Sequence, residues 1–341
     1  MKKITGLLLG LILPLMSVSC IRETYPDDTP VGTFEALWRI MDENYCYFDY
    51  KNVEYGLDWD EVHDRYSSLV RNGMDDQSLF KVLCDMLGEL RDGHVNLITA
   101  FDYGRNWSWQ EDFPVNYYEH IRNNYLGTDY RIAGGFRYTV LDGNIGYIYY
   151  GSFSNTASNS ALDCMLDYFS GCSGIIFDVR SNGGGVLMNV DRIISRFIGK
   201  DILCGYLCHK TGPGHSDFSG FEKRIIHPSA KHLRWEKPVA VLSNRGCFSA
   251  ANTFVSDMRY VPQSRIFGDR TGGGGGIPLS SELPNGWSVR YSSSPMLDAD
   301  GNHIESGIMP DESVSITDSD FIKGVDTIIE AARQWIQSMN Q

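Results

Sequence analysis

Apolar residues in the first ninety positions recur every three or four residues, which is the period of an amphipathic helix. Three stripes of this kind predict three helices with short links, and Asp58 and Asp76 stand where helix N-caps are expected. We therefore expect a small helical N-terminal domain over residues 33–92. The stripes consist of Phe34, Leu37, Trp38, Met41 and Tyr45; of Trp59, Val62, Tyr66 and Leu69; and of Leu79, Val82, Leu83, Met86, Leu87 and Leu90.

From about residue 94 the pattern changes to strands that alternate with helices. This alternation is typical of a layered α/β core, so we predict an α/β domain over residues 93–341. Two stretches, 101–135 and 210–235, have no clear period and carry no assignment. The predicted strands are a short one at 95–98 and longer ones at 145–150, 174–179 and 238–242, and the predicted helices lie near 161–169, 186–197, 250–258 and 319–338.

The chain begins with two lysines and an apolar run over residues 4–16. This run is too short to cross a bilayer as a helix, which takes ~18–20 residues. Small residues then precede Cys20, as at a secretory cleavage site. A cysteine in that position resembles a bacterial lipoprotein signal. We therefore expect residues 1–19 to be a signal peptide and Cys20 to be lipidated.

On this interpretation the mature chain begins at Cys20, and the polar residues 20–32 form a tether. The membrane is then a partner through the lipid anchor. The expected location is the bacterial cell envelope, either the periplasm or the outer membrane and cell surface. The alternative is an ordinary signal peptide followed by a cysteine without lipid.

Composition narrows the classes of partner. The chain has 43 acidic against 30 basic residues, a net charge of −13, which disfavours nucleic acid because that partner rewards a positive field. The cysteines after Cys20 are odd in number and irregularly spaced, so we infer no disulfide framework. Cys204, Cys208 and His209 leave a metal or redox site open as an alternative, but their neighbours are typical of a strand or core. We expect no metal and no cofactor.

Two stretches carry residues suited to nucleophilic chemistry. His94 ends the sequence Leu-Arg-Asp-Gly-His at a predicted helix-to-strand junction, where an imidazole can act as general base. Ser249 follows a predicted strand and a short turn, at the start of a predicted helix, a geometry that exposes a hydroxyl. The alternatives are a surface or capping histidine and a serine that is only an N-cap.

Two further stretches could support such chemistry. Residues 178–185 end in three glycines between a strand and a helix, where bare backbone N–H groups can hold a developing negative oxygen. Glu305 lies in a predicted turn and could orient a histidine from behind. The alternatives are an ordinary glycine turn and a solvated carboxylate.

Taken in order, these stretches resemble the tail-specific or C-terminal-processing serine peptidase family, including its tricorn-core branch. The resemblance covers residues 33–315, with a helix-opening Ser-Ala at 249–250 and a late Gly-Ile-Met-Pro-Asp at 307–311. It implies an α/β core related to ClpP and crotonase. It also implies a catalytic triad of Ser249, His94 and Glu305. The implied oxyanion hole consists of the backbone N–H groups of Gly183 or Gly184 and of Ala250.

The chain departs from that family in three ways. Gly274 stands where many members carry the lysine of a Ser-Lys pair, so the resemblance favours the branch that uses serine, histidine and glutamate. Gly93 stands where that branch has an extra serine. The segment between His94 and Ile145 is too short for the PDZ module found in many members. We expect the five glycines at 272–276 to form a mobile wall of the cleft, and Thr271, Gly272, Gly273 and Gly274 to bind substrate. The alternative is a linker without substrate contact.

The expected function is therefore that of an exported, lipid-anchored serine peptidase acting on a peptide or protein substrate through an acyl-enzyme. The alternative is a non-catalytic protein of the same fold that binds a peptide, a glycan or a lipid. The two differ in one geometric requirement: a peptidase needs Ser249 and His94 within hydrogen-bond reach.

Overall fold

The computed structural model describes residues 27–105 and 111–339. The predicted signal peptide, Cys20 and most of the predicted tether lie outside these residues. No helix within the described ranges combines the length and the apolar character that a membrane crossing requires.

The first helix begins earlier than predicted. Pro30 is its first residue, and the Thr29 hydroxyl caps it by accepting the N–H of Gly32 at 3.1 Å. Proline suits this position because its φ is already helical and a first-turn N–H has no partner within the helix. Residues 30–32 thus belong to the helix and not to the predicted tether.

The N-terminal region folds into helices as predicted, with one addition. The short helix α2 lies between the first two predicted ones and was not expected. Asp58 caps α3 as predicted, whereas α4 is capped by Asp75, and Asp76 is its first helical residue. The helices are α1 (Pro30–Asn44), α2 (Phe48–Tyr55), α3 (Trp59–Ser67) and α4 (Asp76–Gly88).

A seven-stranded sheet, counted within the described residues, forms the centre of the α/β part. Its order is β13-β10-β9-β6-β5-β4-β3, parallel from β13 to β5 and antiparallel from β5 to β3. The strands are β3 (Arg131–Ala133), β4 (Phe136–Leu141), β5 (Ile145–Tyr150), β6 (Gly174–Asp178), β9 (Val239–Ser243), β10 (Ser264–Gly268) and β13 (Glu312–Ser313), and the helices of this part are α5 (Glu119–Leu126), α6 (Asn159–Tyr168), α7 (Leu187–Ile194), α8 (Ala250–Met258), α9 (Asp318–Ile322) and α10 (Thr327–Ser338).

Strands β6 and β9 position the candidate chemistry. Every residue of both strands is buried, as expected for central parallel strands covered by helices on both faces. They are direct neighbours, with Asp178 in register with Leu242. Because their carboxyl ends meet at one edge of the sheet, the glycine turn after β6 and the Ser249 turn after β9 lie side by side.

A second sheet joins the N-terminal helices to this core. Its longest strand, β12, pairs with β1 and β11 in its first part and with β7 in its last part. The apolar core of α1, α3 and α4 includes Leu283, Trp287, Val289 and Tyr291, so the helical segment packs on the β11–β12 hairpin. The strands are β1 (Asn96–Ile98), β2 (Tyr103–Arg105), β7 (Ile202–Leu207), β8 (Glu222–Ile226), β11 (Gly276–Glu282) and β12 (Ser288–Asp298).

The predicted fold class, an α/β core preceded by helices, is confirmed. The predicted last helix is divided in two, α9 and α10, because Gly324 adopts a left-handed φ of 70° between them. Residues 101–135 and 210–235 contain β2, α5, β3 and β8, elements too short to give a period in the sequence.

Candidate active site

Ser249 sits on a strained turn between β9 and α8. Its φ of 57° and ψ of −123° lie in a region that residues with a side chain rarely adopt. Its side chain makes no capping bond to the helix that follows. The hydroxyl is 3.0 Å from Nε2 of His94 instead, so the N-cap alternative does not account for this serine.

His94 comes from the loop between α4 and β1, on the other side of the cleft from β9. Asp92 shapes that loop, because its Oδ1 accepts the backbone N–H of His94 at 2.7 Å. The ring is almost fully buried and packs against Phe248, with ring centroids 4.7 Å apart. The structure thus brings together Ser249 and His94, 155 positions apart in the sequence.

Burial decides the charge of His94. It lowers the pKa of the imidazole to about 4; the nearby Asp92 carboxylate acts to raise it and the Arg290 guanidinium to lower it further. The ring is therefore neutral at physiological pH, as a base that accepts the Ser249 proton must be. Its second nitrogen, Nδ1, is buried and has no hydrogen-bond partner among the described residues.

Glu305 is buried beside the site but makes no hydrogen bond to the His94 ring. Its Oε1 accepts from Nζ of Lys51 at 3.3 Å, and its Oε2 accepts the N–H of Gly275 at 2.8 Å. Burial and the charge of Asp92 raise the pKa of Glu305, against the opposing effect of Lys51. The contact to the imidazole that the triad requires is therefore not made in this arrangement.

Asp92 and Lys51 are buried charged residues beside the site to which the sequence analysis assigned no role. The Asp92 carboxylate also accepts the hydroxyls of Tyr45 at 3.1 Å and Ser292 at 2.8 Å, which ties α1 and β12 to the histidine loop. The position of Asp92, two residues before His94, was the sequence signal that it could act near the site. The sequence held no such signal for Lys51, since 254 positions separate it from Glu305.

The glycine turn after β6 reaches the nucleophile. A Cβ at Gly184 would lie 2.6 Å from the Phe248 carbonyl oxygen and 2.8 Å from Cβ of Ser249, so only glycine fits there. The Gly184 N–H, however, already donates to Oδ1 of Asn182 at 2.9 Å. Among the predicted oxyanion donors, the N–H groups of Gly183 and Ala250 are the two without a partner in the described part of the chain.

The motif that precedes these glycines has a structural role. Arg180 is completely buried and pairs with Asp178 at 2.6 Å and with Asp326, the N-cap of α10, at 2.9 Å. Asn182 donates from its amide to the Tyr150 carbonyl at 2.7 Å while its oxygen holds Gly184. These residues fix the turn that carries Gly183, without themselves facing the nucleophile.

The predicted substrate-binding segment is packed more tightly than expected. Thr271 is buried, and its hydroxyl donates to Asn252 at 2.6 Å and accepts the N–H of Ile308 at 2.6 Å. The Gly273 carbonyl accepts the N–H of Ser249 at 2.9 Å. Thr271 and Gly273 therefore support the turn that carries Ser249, in a segment that is buried and hydrogen-bonded; the mobility expected of this segment stays a prediction. Gly272 and Gly274 line a cavity beside the site.

Two cavities are lined by Gly93 and Phe248, the residues that precede His94 and Ser249. The first, about 550 Å³, is lined by Gly183, Asn96 and Arg290, among others. The second, about 390 Å³, extends to Lys51 and Glu305. The two share part of their walls, and each volume lies in the range of ligand-binding pockets. The shared residues are Gly93, Phe113, Arg245 and Phe248.

The alternative site at Cys204, Cys208 and His209 gains no support from the geometry. Both cysteines are buried free thiols, and Nδ1 of His209 lies 3.1 Å from the Ser294 hydroxyl. No group of three or more histidine, cysteine, aspartate or glutamate side chains within residues 27–105 and 111–339 could hold a metal ion.

Sequence comparisons relate the chain to known peptidases. Residues 144–314 match peptidase family S41, and residues 26–88 match the tricorn protease C1 domain. The probable CtpA-like serine protease of Staphylococcus epidermidis strain ATCC 12228 is 28% identical over 177 residues, 51% of this chain and 34% of that protein. A probable CtpA-like serine protease of Staphylococcus aureus strain N315 is 27% identical over 176 residues, 50% of this chain and 34% of that protein. The chain thus spans about a third of the length of these curated relatives.

Solved structures give a closer match. A candidate peptidase from Parabacteroides merdae ATCC 43184 is 53% identical, with a TM-score of 0.86, over 90% of this chain and 96% of that one. Mature CPAF is 12% identical with a TM-score of 0.68, over 90% of this chain and 96% of that one, and shows the shared fold alone. The predicted family and the predicted fold are confirmed: the chain belongs to peptidase family S41.

Proposed function

We propose that this protein is a serine peptidase in which Ser249 is the nucleophile and His94 the general base. The observation that carries the proposal is the 3.0 Å contact between the Ser249 hydroxyl and a buried, neutral imidazole. The strained backbone at Ser249 supports it as well, since such strain is kept where the surrounding structure imposes it. A protein that only binds a peptide, glycan or lipid needs neither feature.

The reaction follows from the geometry. His94 Nε2 accepts the Ser249 proton as the oxygen attacks a peptide carbonyl, and the N–H groups of Gly183 and Ala250 receive the negative oxygen. The imidazolium then gives its proton to the leaving amine, which leaves an acyl-enzyme that water hydrolyses. Each oxyanion donor is worth about 10²–10³ in rate.

The acid that supports the imidazolium has two candidates. The family resemblance predicts Glu305, but its carboxylate is held by Lys51 and Gly275. Asp92 is the acid whose charge favours the protonated ring of His94. We propose that Asp92 supplies the electrostatic support in this arrangement, and that Glu305 holds the Gly275 segment next to the nucleophile turn.

Digestion of a peptide library tests the activity without assuming a substrate. The wild-type protein should cleave a subset of peptides, and Ser249→Ala should lose at least about 10³-fold in rate because the nucleophile is absent. Alanine keeps the Cβ and hence the same backbone constraint, so circular dichroism should be unchanged. Cleavage by the alanine variant at the wild-type rate would show that Ser249 is not the nucleophile.

We also propose that the protein is exported and lipid-anchored at Cys20. Support comes from the sequence alone: a short apolar run, small residues and a cysteine. Cells fed an alkyne-tagged fatty acid should label the protein, and Cys20→Ser should remain unlabelled. Equal labelling of both would rule out Cys20 as the lipidation site.

A further inference from the structure

Arg245 and Arg270 lie close together in the wall of the second cavity without a carboxylate partner. Neither forms an ion pair within the described part of the chain, whereas the buried Arg180 and the half-buried Arg224 each pair with two aspartates. In both, the Nε atom is buried and has no hydrogen-bond partner there. Two half-buried arginines thus line the same cavity.

Their surroundings hold them in place without neutralising them. The Arg245 guanidinium stacks on the Phe113 ring at 3.5 Å, and its Nη1 reaches the Thr271 carbonyl at 3.5 Å. Asp269 is the nearest acid along the chain, but its Oδ1 accepts the backbone N–H of Arg270. Burial and the Arg270 charge lower the pKa of Arg245 against the opposing effect of Asp269, so the two like charges repel each other.

The other charges of the cavity do not balance this pair. Lys51 is paired with Glu305 at 3.3 Å. Arg91 adds a third cation, stacked on the Tyr55 ring at 4.2 Å, and Glu54 is the remaining acid in the wall. This cavity wall therefore has an excess of positive charge, although the whole chain has a net charge of −13.

We propose that Arg245 and Arg270 form a subsite that binds a carboxylate of the peptide substrate. A carboxylate between two guanidinium groups relieves their repulsion and accepts charge-assisted bonds from them. The subsite is within reach of a peptide at Ser249, since Phe248, the preceding residue, lines the same cavity. This inference rests on the proposed peptidase function and names its substrate class: peptides with an acidic side chain or a free C-terminus placed in the second cavity.

Binding to the inactive Ser249→Ala variant tests the subsite separately from catalysis. Fluorescently labelled peptides of one fixed sequence would carry Glu, Gln or Lys at each position in turn, with either a C-terminal amide or a free carboxylate. Anisotropy at low salt should show one carboxylate-bearing peptide binding about tenfold or more tightly than its neutral counterpart. A preferred Glu peptide identifies the side chain as the ligand, and a preferred free-acid peptide identifies the C-terminus.

Arginine variants then assign the preference to the pair. Arg245→Gln and Arg270→Gln, each combined with Ser249→Ala, should reduce the preference to about twofold or less, and Arg270→Glu should turn it toward Lys. Arg137→Gln, at an exposed arginine on β4, is the matched control and should keep the preference.

Two results would overturn the subsite. The first is equal binding of all peptides to Ser249→Ala, a result that does not depend on whether the arginine variants fold. The second is a carboxylate preference that survives both arginine substitutions. A carboxylate preference in a protein that cleaves no peptide would uphold the subsite and reject the peptidase. Cleavage of peptides without any carboxylate preference would uphold the peptidase and reject the subsite.

Discussion

At the scale of single residues, the state of His94 sets the pH dependence of the reaction. Only the neutral ring can accept the Ser249 proton, and burial lowers its pKa to about 4. The ratio kcat/KM should therefore rise through an acid limb near pH 4 and stay flat toward neutrality, since this ratio reports ionisation in the free enzyme. A limb at about 6.5, the ordinary value for histidine, would contradict the burial of the ring.

The two charges next to the ring should move this limb in opposite directions. Asp92 raises the pKa of His94 and Arg290 lowers it. Asp92→Asn should thus shift the limb to lower pH and reduce kcat by about tenfold or more, because the imidazolium loses its support. Arg290→Gln should shift the limb to higher pH.

Full pH profiles of both variants with one fluorogenic peptide are the measurement. Glu305→Gln is the comparison: a smaller loss of kcat than in Asp92→Asn supports the role given to Asp92. A larger loss would restore Glu305 as the acid of the triad. Shifts of the same sign in Asp92→Asn and Arg290→Gln would contradict the electrostatic account.

The sequence pointed to Ser249 and His94, which the structure brings into contact, but not to the charges around them. Ser249 and His94 each lie in a local motif whose order along the chain is informative. Lys51 and Arg290 belong to no motif, and they meet the site only because α2 and β12 fold against it. A charged residue that acts on the site from a distant part of the chain leaves no motif in the sequence around it.

At the scale of elements, the glycine turn after β6 and the Ser249 turn after β9 must fit against each other. Gly184→Ala would place a Cβ within 3 Å of both Phe248 and Ser249, at a φ of 97° that disfavours a side chain. We expect a loss of more than about 1 kcal/mol in stability and of about 100-fold in kcat/KM, because the nucleophile must move.

Gly171→Ala is the matched control, since a Cβ there meets nothing within 4 Å. It should leave both quantities unchanged. Chemical denaturation and peptide kinetics of the two variants are the measurements. Wild-type kinetics in Gly184→Ala would show that the two turns are not in close contact.

Element prediction succeeded where the chain has long periodic runs. The helix predicted at 250–258 agrees with α8, and the strands predicted at 145–150 and 238–242 agree with β5 and β9 to within one residue. Helix α2 was missed because it has only eight residues, half of them polar, and its apolar residues form no clear stripe. The pairing of β11 with β12 was missed because β12 is buried along nearly its whole length and shows no alternation.

At the scale of the whole molecule, the Lys51–Glu305 pair joins the helical layer to the catalytic core. Lys51→Met would leave the Glu305 carboxylate buried without its cation, which should cost roughly 3 kcal/mol of unfolding free energy. The cost should grow as pH rises, since Lys51 lowers the pKa of Glu305 and its loss raises that pKa further.

Denaturation at several pH values measures this cost. The double variant Lys51→Met/Glu305→Gln should recover much of the loss, because no unpaired charge remains. Lys81→Met, which removes an exposed lysine from its pair with Asp85, should change stability little. A cost equal to that of Lys81→Met would mean that the buried pair does not hold the layers together.

The order of the motifs along the chain predicted the family, while the tertiary pairing of the layers could not be derived from it. The glycine segment at 272–276 shows why: its composition suggested mobility, yet a Cβ at Gly274 would lie 2.5 Å from the Phe248 ring. Those glycines permit close packing, which only the folded neighbours reveal.

Covalent labelling tests the central claim most directly, because it reads the nucleophile without knowledge of the substrate. A serine-directed phosphonate followed by intact-mass and peptide analysis should give one adduct per chain, on Ser249. In His94→Gln the labelling rate should fall by about 10²-fold or more, since the base is lost. An adduct on another residue, or an unchanged rate in His94→Gln, would contradict the pairing of Ser249 with His94.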